Sequence, residues 1–173
     1  MKMSIVFSSL TGNTMKVAYK ILEVMPEGTN IFNLKDLDHE IESELLVLGY
    51  WVDRAKPNKE MYQFMEKLEG KKVITFGTLG AEPASPHAFE TINNTDNLLK
   101  EKNEVLGNFL CQGRINPKIT EMFMKNGGLN GVHAMTVERI KRHQAAASHP
   151  DEQDFKNAQE FVHNIIEKYL EEK

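Results

Sequence analysis

Ser8-Ser9-Leu10-Thr11-Gly12-Asn13-Thr14 is the stretch that decides how this chain is read. It follows an apolar run of Met3, Ile5, Val6 and Phe7, and it opens a helical pattern in which Val17, Ala18, Ile21, Leu22 and Met25 recur on one face. A short strand that ends in hydroxyls, Gly and Asn at a helix start makes an anion site. The first N–H groups of a helix have no intrahelical partner, and the helix dipole adds partial positive charge beside them. The hydroxyls of Ser9, Thr11 and Thr14 add donors, and Gly12 lets the backbone come close. No Gly-Lys-Ser/Thr follows, so this is not a nucleoside-triphosphate loop. The same residues also suit a plain turn and helix cap. Position favours the anion, because this is the first strand-to-helix turn of a chain that goes on alternating.

Pro26-Glu27-Gly28 ends the first helix, and residues 29–34 read as a second strand. Residues 44–49 form a third, with the continuous apolar character of a strand covered on both faces, so helices must lie on both sides. Pro57 is placed in a first helical turn ahead of Met61, Phe64, Met65 and Leu68, and Gly70 stops that helix. Residues 72–77 make a fourth strand. Ser85-Pro86 is a cap and first-turn proline leading into Ala88, Phe89 and Ile92, and residues 104–110 make a fifth strand. A last helix starts near Asp151 and buries Phe155, Ala158, Val162, Ile165 and Tyr169. Strands alternating with helices predict one α/β domain over 1–173, a parallel sheet with right-handed crossovers whose ligand crevice lies at the carboxyl ends of the strands.

A chain of 173 residues suits one full core and is short for two. Its net charge of −4 argues against nucleic acid as the main partner. One cysteine, Cys111, excludes an internal disulfide framework and suggests a reducing compartment. No signal-like segment and no apolar stretch of membrane-spanning length is present, so a cytoplasmic location without a membrane span is expected. The histidines at 39, 87, 133, 143, 149 and 163 show neither metalloprotease spacing nor a neighbouring carboxylate cluster, so no metal is expected. Ser8, Ser9 and Cys111 lack the setting of a nucleophile, and no catalytic residue is assigned.

Ser9-Leu10-Thr11-Gly12-Asn13-Thr14 resembles the phosphate loop of the flavodoxins, Ser/Thr-x-Thr-Gly-Asn-Thr, at every defining position. The resemblance implies a three-layer sandwich with a five-stranded parallel sheet of order 2-1-3-4-5, and FMN held without a covalent bond. Gly49-Tyr50-Trp51-Val52-Asp53 resembles the family loop that sets an aromatic ring against the flavin; Trp51 is the first choice for that contact and Tyr50 the second. Gly77-Thr78-Leu79-Gly80-Ala81 resembles the third flavin loop, where small residues let backbone amides approach the pyrimidine edge. The implied cofactor-binding residues are therefore Ser9, Leu10, Thr11, Gly12, Asn13, Thr14, Tyr50, Trp51, Val52, Asp53, Thr78, Leu79, Gly80 and Ala81.

Residues 114–147 depart from the family pattern, which passes more directly from the fifth strand to the last helix. Asn116-Pro117 starts a short helix with Ile119, Met122 and Phe123, Asn126-Gly127-Gly128 ends it, and a second helical stretch runs from His133 to Ala147. This insertion leaves the sheet beside the expected flavin. Its Arg139, Lys141, Arg142 and His143 suit a solvated helix face, or alternatively a docking patch or lid that favours anionic groups. Residues 49–53, 76–80 and Cys111-Gln112-Gly113 further resemble a gut-bacterial flavodoxin-like subgroup that includes the electron-supplying partner of bilirubin reductase. The family implies an electron carrier that hands electrons to a redox partner protein, a reductase or a terminal flavoenzyme such as a bilirubin-type reductase. The alternative is an FMN-dependent oxidoreductase acting directly on a small molecule.

Overall fold

The computed structural model describes residues 2–126 and 136–171. Strand β1 (Met3–Phe7) leads into helix α1 (Asn13–Leu22), then β2 (Asn30–Asn33) and a single 3-10 turn at Leu34–Asp36. Strand β3 (Leu45–Asp53) turns back through a short β4 (Lys56–Pro57) into α2 (Lys59–Glu66), followed by β5 (Lys72–Leu79), α3 (Pro86–Leu99) and β6 (Glu104–Gln112). Helices α4 (Pro117–Asn126) and α5 (Val137–Ala146) precede the long α6 (Glu152–Glu171).

The main strands pair in the order β2-β1-β3-β5-β6, all parallel, with β4 added antiparallel to the end of β3. Counting the five long strands alone, this is the expected 2-1-3-4-5. Strand parity divides the core. Met3, Ile5 and Phe7 with Leu45 and Val47 pack under α1 and α6 against Val17, Ile21, Ala158 and Val162. Val6, Leu46, Leu48 and Tyr50 meet Met61, Met65, Ala88 and Leu99 of α2 and α3 on the other face. The helices thus cover both faces, which is why β1, but for Ser4, and most of β3 read as apolar runs.

Across β3 and β5 the residues pair large against absent. Gly49 lies opposite Phe76 and Tyr50 opposite Gly77. A Cβ on Gly49 would sit 2.2 Å from Phe76 Cζ, and one on Gly77 would sit 2.7 Å from both Tyr50 Cε2 and Leu110 Cδ2. Each glycine makes room for the neighbouring ring, so Gly77 opens space for the core rather than for a ligand.

One expectation is corrected. Pro57 does not open α2 but pairs with Val52 in β4, and the helix starts two residues later at Lys59. The turn between β3 and β4 carries Arg54 at φ 49 and Ala55 at φ 57, a left-handed pair without glycine. Asn58 is fully buried and fixes this return: its N–H donates to Trp51 O (3.0 Å), its Oδ1 accepts from Trp51 N (3.3 Å), and its Nδ2 donates to Ser8 Oγ (2.8 Å). The cap at Ser85 is as expected, its Oγ accepting from Ala88 N at 3.2 Å. The second stretch past residue 114 is helical from Val137; His133 lies outside the described residues. No helix among the described residues is long and apolar enough to cross a membrane.

Candidate functional site

The carboxyl ends of β1, β3 and β5 open onto one cleft of about 250 Å³. Its wall includes Leu10, Thr11, Asn13 and Thr14 from the first turn, Trp51, Val52 and Asp53 from β3, and Thr78, Leu79 and Gly80 from β5. Ten of the residues expected at a cofactor therefore meet in one place although they are spread over 71 positions in the chain.

The first turn pairs part of its backbone within itself and leaves two N–H groups without a partner. Gly12 caps α1 at φ 92, ψ −9, a conformation that an L side chain strains. Ser9 is not a free donor at the mouth of the turn. Its Oγ accepts from Gly12 N (3.2 Å) and Met15 N (3.3 Å), holding the loop closed on itself. The N–H groups of Asn13 and Thr14, ahead of the helical ladder, have no acceptor among the described residues. Thr14 is buried, and its hydroxyl is hydrogen-bonded to that of Thr78 at 3.0 Å. Asn13 Nδ2 donates to Arg114 O at 2.9 Å and so ties the turn to the chain leaving β6.

That exit from β6 supplies a fourth wall, Gly113, Arg114, Ile115, Asn116 and Ile119. It was not among the expected site residues, although the departure of this segment beside the cleft was. Arg114 N donates to His149 O at 2.7 Å, and Gly113 N to Leu79 O at 2.8 Å. The Cβ that Gly80 lacks would stand 2.7 Å from Ile115 Cγ1, so this glycine too admits a protein side chain. The signal in the sequence was the apolar pair Ile115 and Ile119 just after strand five; nothing in one sequence joins Ile115 to Gly80.

Four expected residues do not line the cleft: Ser9, Gly12, Tyr50 and Ala81. Ser9 and Gly12 shape the turn. Tyr50 alternates with Trp51 along β3 and is taken up by the core; its hydroxyl meets Thr95 Oγ1 at 3.3 Å, and burial pushes its pKa up to about 12. Its ring is therefore unable to lie against a ligand in the cleft, and Trp51, half-buried at the wall, is the aromatic that can. Ala81 packs at the edge of the core under α2 and α3.

A family model for the flavodoxin domain matches residues 4–163. This chain belongs to that flavodoxin domain family. It is 33% identical over 170 residues to the flavodoxin-like domain-containing protein BilS of Clostridioides difficile, covering 96% of this chain and 97% of that one. To the protein of the same name from Clostridium symbiosum it is 26% identical, covering 94% of each. Among solved structures, oxidised flavodoxin 1 from Bacillus cereus superposes with a TM-score of 0.61 at 15% identity, over 96% of this chain and 98% of that one. That likeness is one of fold.

Within the flavodoxin domain, Cys111 is buried at the end of β6 and burial, with Asp154 and Asp151 nearby, pushes its thiol up, away from a reactive thiolate. The expectation that no carboxylate cluster neighbours a histidine is corrected at the start of α6, where His149 is followed by Asp151, Glu152 and Asp154 and meets two of them. His149 Nδ1 bonds Asp154 Oδ2 at 2.5 Å, and Asp151 Oδ1 accepts from Gln153 N (2.9 Å) and Asp154 N (3.0 Å). These bonds cap the helix. The hydrogen bond to Asp154 holds the His149 pKa above its usual value, desolvation opposing it.

Proposed function

We propose that this flavodoxin domain binds FMN in the cleft and works as an electron carrier for a redox partner protein. The observation that carries the reading is the meeting of the unpaired N–H groups of the first turn with the Trp51 side chain in one crevice at the carboxyl edge of the sheet. The N–H groups of Asn13 and Thr14 suit a phosphate, and Thr11 stands exposed beside them as a further donor. Trp51 suits a flat ring system, with Val52, Asp53, Thr78, Leu79 and Gly80 along its edge. One phosphate cradle and no Gly-x-Gly-x-x-Gly fingerprint favour FMN over FAD. FMN supplies the redox chemistry when bound; the protein supplies burial, hydrogen bonding and orientation.

Among the described residues, the titratable side chains at the cleft wall are Asp53 and Arg114, both exposed, which suits electron transfer better than proton transfer to a substrate. The resemblance to the subgroup that accompanies bilirubin reductases supports a terminal flavoenzyme of that kind as the acceptor. The single, buried cysteine is in keeping with the cytoplasm. One observation favours the alternative, an FMN-dependent oxidoreductase: Ile115 and Ile119 add an apolar wall that a small substrate would need.

The test is the visible spectrum and extracted cofactor of the purified protein, followed by stopped-flow reduction with NADPH. A carrier yields FMN, reduces slowly with NADPH alone, and reduces fast once a separate reductase is added. Recovered FAD, or a colourless protein that takes up no FMN, overturns the cofactor. Fast bleaching by NADPH with turnover of a small acceptor replaces the carrier with the oxidoreductase.

A further inference from the structure

Resting on the carrier reading, we infer that the surface formed by α4 and α5 beside the cleft receives a redox protein through an acidic face. Arg114, Lys118, Lys125, Arg139, Lys141 and Arg142 stand within residues 114–147, against Glu121 and Glu138 alone. That is a net of +4 in a chain whose net charge is −4, leaving −8 on the other 139 residues. Positive charge therefore gathers in the one segment whose first residues wall the cleft.

Three observations separate this patch from an ordinary solvated face. The first is that one sign of charge prevails across it. Arg114, Lys118, Lys125, Lys141 and Arg142 are exposed, and none forms an ion pair among the described residues. The second is position. Arg114 and Ile119 line the cleft itself, and the Thr120 hydroxyl meets His143 Nδ1 at 2.7 Å, joining α5 to α4. The third is exposed apolar surface beside these charges, Leu10 and Ile119 on the cleft wall and Met122 one turn further along α4. An apolar centre with a charged rim is how transient protein interfaces are built. Charges of one sign at the mouth of a cleft speed the encounter with a partner of the other sign, over distances of about 8–10 Å at physiological salt.

The test compares one redox protein in two charge states: native cytochrome c, which is basic, and cytochrome c with its lysines succinylated, which is acidic. FMN loading is measured first. The flavin is reduced by two electrons with dithionite and mixed with excess ferric cytochrome; each flavin passes one electron to each of two haems and returns to the oxidised form, releasing to solvent the protons it took up on reduction. At low ionic strength the succinylated form reacts faster than the native one, and its rate falls about tenfold or more on raising salt, within the range for steered association. In Lys141→Glu/Arg142→Glu the order of the two cytochromes reverses while FMN affinity is unchanged. Lys67→Glu/Lys100→Glu, which makes the same charge change at the ends of α2 and α3, leaves the order as it was. Amide spectra with ferric succinylated cytochrome, recorded with or without FMN, show changes confined to α4, α5 and the cleft rim. A faster native cytochrome, rates independent of salt, or amide changes on other faces overturn the inference. Failure to load FMN sinks the carrier reading instead, and the amide map still decides the docking surface.

Discussion

Gly12 is the position where the proposed cradle depends on a residue's identity through the backbone alone, so substitution there gives a sharp test. A Cβ at Gly12 would meet only Met15 Cε, at 4.0 Å, an ordinary contact. Sterics around the side chain therefore predict that small and medium residues are tolerated in order of size. The backbone predicts otherwise. At φ 92 and ψ −9 an L residue costs roughly 1–2 kcal/mol, less for Asn, whose side chain bonds locally in the left-handed region, and most for a β-branched residue. The expected order of damage is thus Val, then Ala, then Asn, although Asn is larger than Ala.

The chain can escape this strain by rotating Gly12 out of the left-handed region. That rotation would break the bonds from Gly12 N and Met15 N to Ser9 Oγ and turn the Asn13 and Thr14 N–H groups away from one another. Losing one hydrogen bond to a charged phosphate is worth roughly 1.5–3 kcal/mol, or about tenfold to a hundredfold in affinity. Urea unfolding of the apoprotein reads the strain, and FMN fluorescence titration reads the cradle. Gly12→Ala should lose stability by about 1–2 kcal/mol and affinity by at least tenfold, with Gly12→Asn milder in both. If Gly12→Asn is the more damaging, or if Gly12→Ala binds FMN and resists urea as the parent does, the argument from the turn is wrong.

Thr14→Val should destabilise the apoprotein by about 1–3 kcal/mol because it orphans the buried Thr78 hydroxyl, and Thr14→Val/Thr78→Val should cost less than the two single changes added; urea curves measure both. Trp51→Ala should weaken FMN by roughly 1–2 kcal/mol, whereas Tyr50→Phe should leave FMN affinity unchanged, and spectrophotometric titration should show Tyr50 ionising only near pH 12; titration with FMN and alkaline difference spectra check each. His149 has a raised pKa in the fold, so its bond to Asp154 contributes stability in full below the unfolded value near 6.5 and loses it as pH climbs through the higher folded value. Asp154, Asp151 and Glu82 are the carboxylates that face it. Thermal melts from pH 5.5 to 8.5 should therefore show the parent losing its advantage over His149→Gln as pH rises, and a constant gap would refute the linkage.

The alternation of strands and helices was legible because each element announces itself locally. Apolar runs mark β1 and β3, helical stripes mark α1 and α6, and Ser85-Pro86 marks the start of α3. The β3–β4 return was not legible. Its left-handed pair is Arg54-Ala55, where glycine or asparagine would have signalled the turn, and what holds it is Asn58, reaching Ser8 across 50 positions. An apolar run counted only to Gly49 stops short of the strand's end at Asp53 and so hides the parity that sends Tyr50 after Leu46 and Leu48 into the core. Had the alternation been carried two residues further, Tyr50 and Trp51 would have separated onto opposite faces.

The phosphate turn shows a different limit. Ser9, Thr11 and Thr14 were read as donors to an anion because hydroxyls can donate, but residue type does not give direction. In the fold Ser9 accepts from two backbone N–H groups and Thr14 is spent on Thr78, so both serve as the frame of the turn. The N–H groups of Asn13 and Thr14 that remain are backbone, present whatever the side chains. An anion site of that kind leaves its mark on a sequence through the residues that fix its shape. In this turn those are the Ser9 hydroxyl, which gathers Gly12 and Met15, and the glycine that only a left-handed φ requires.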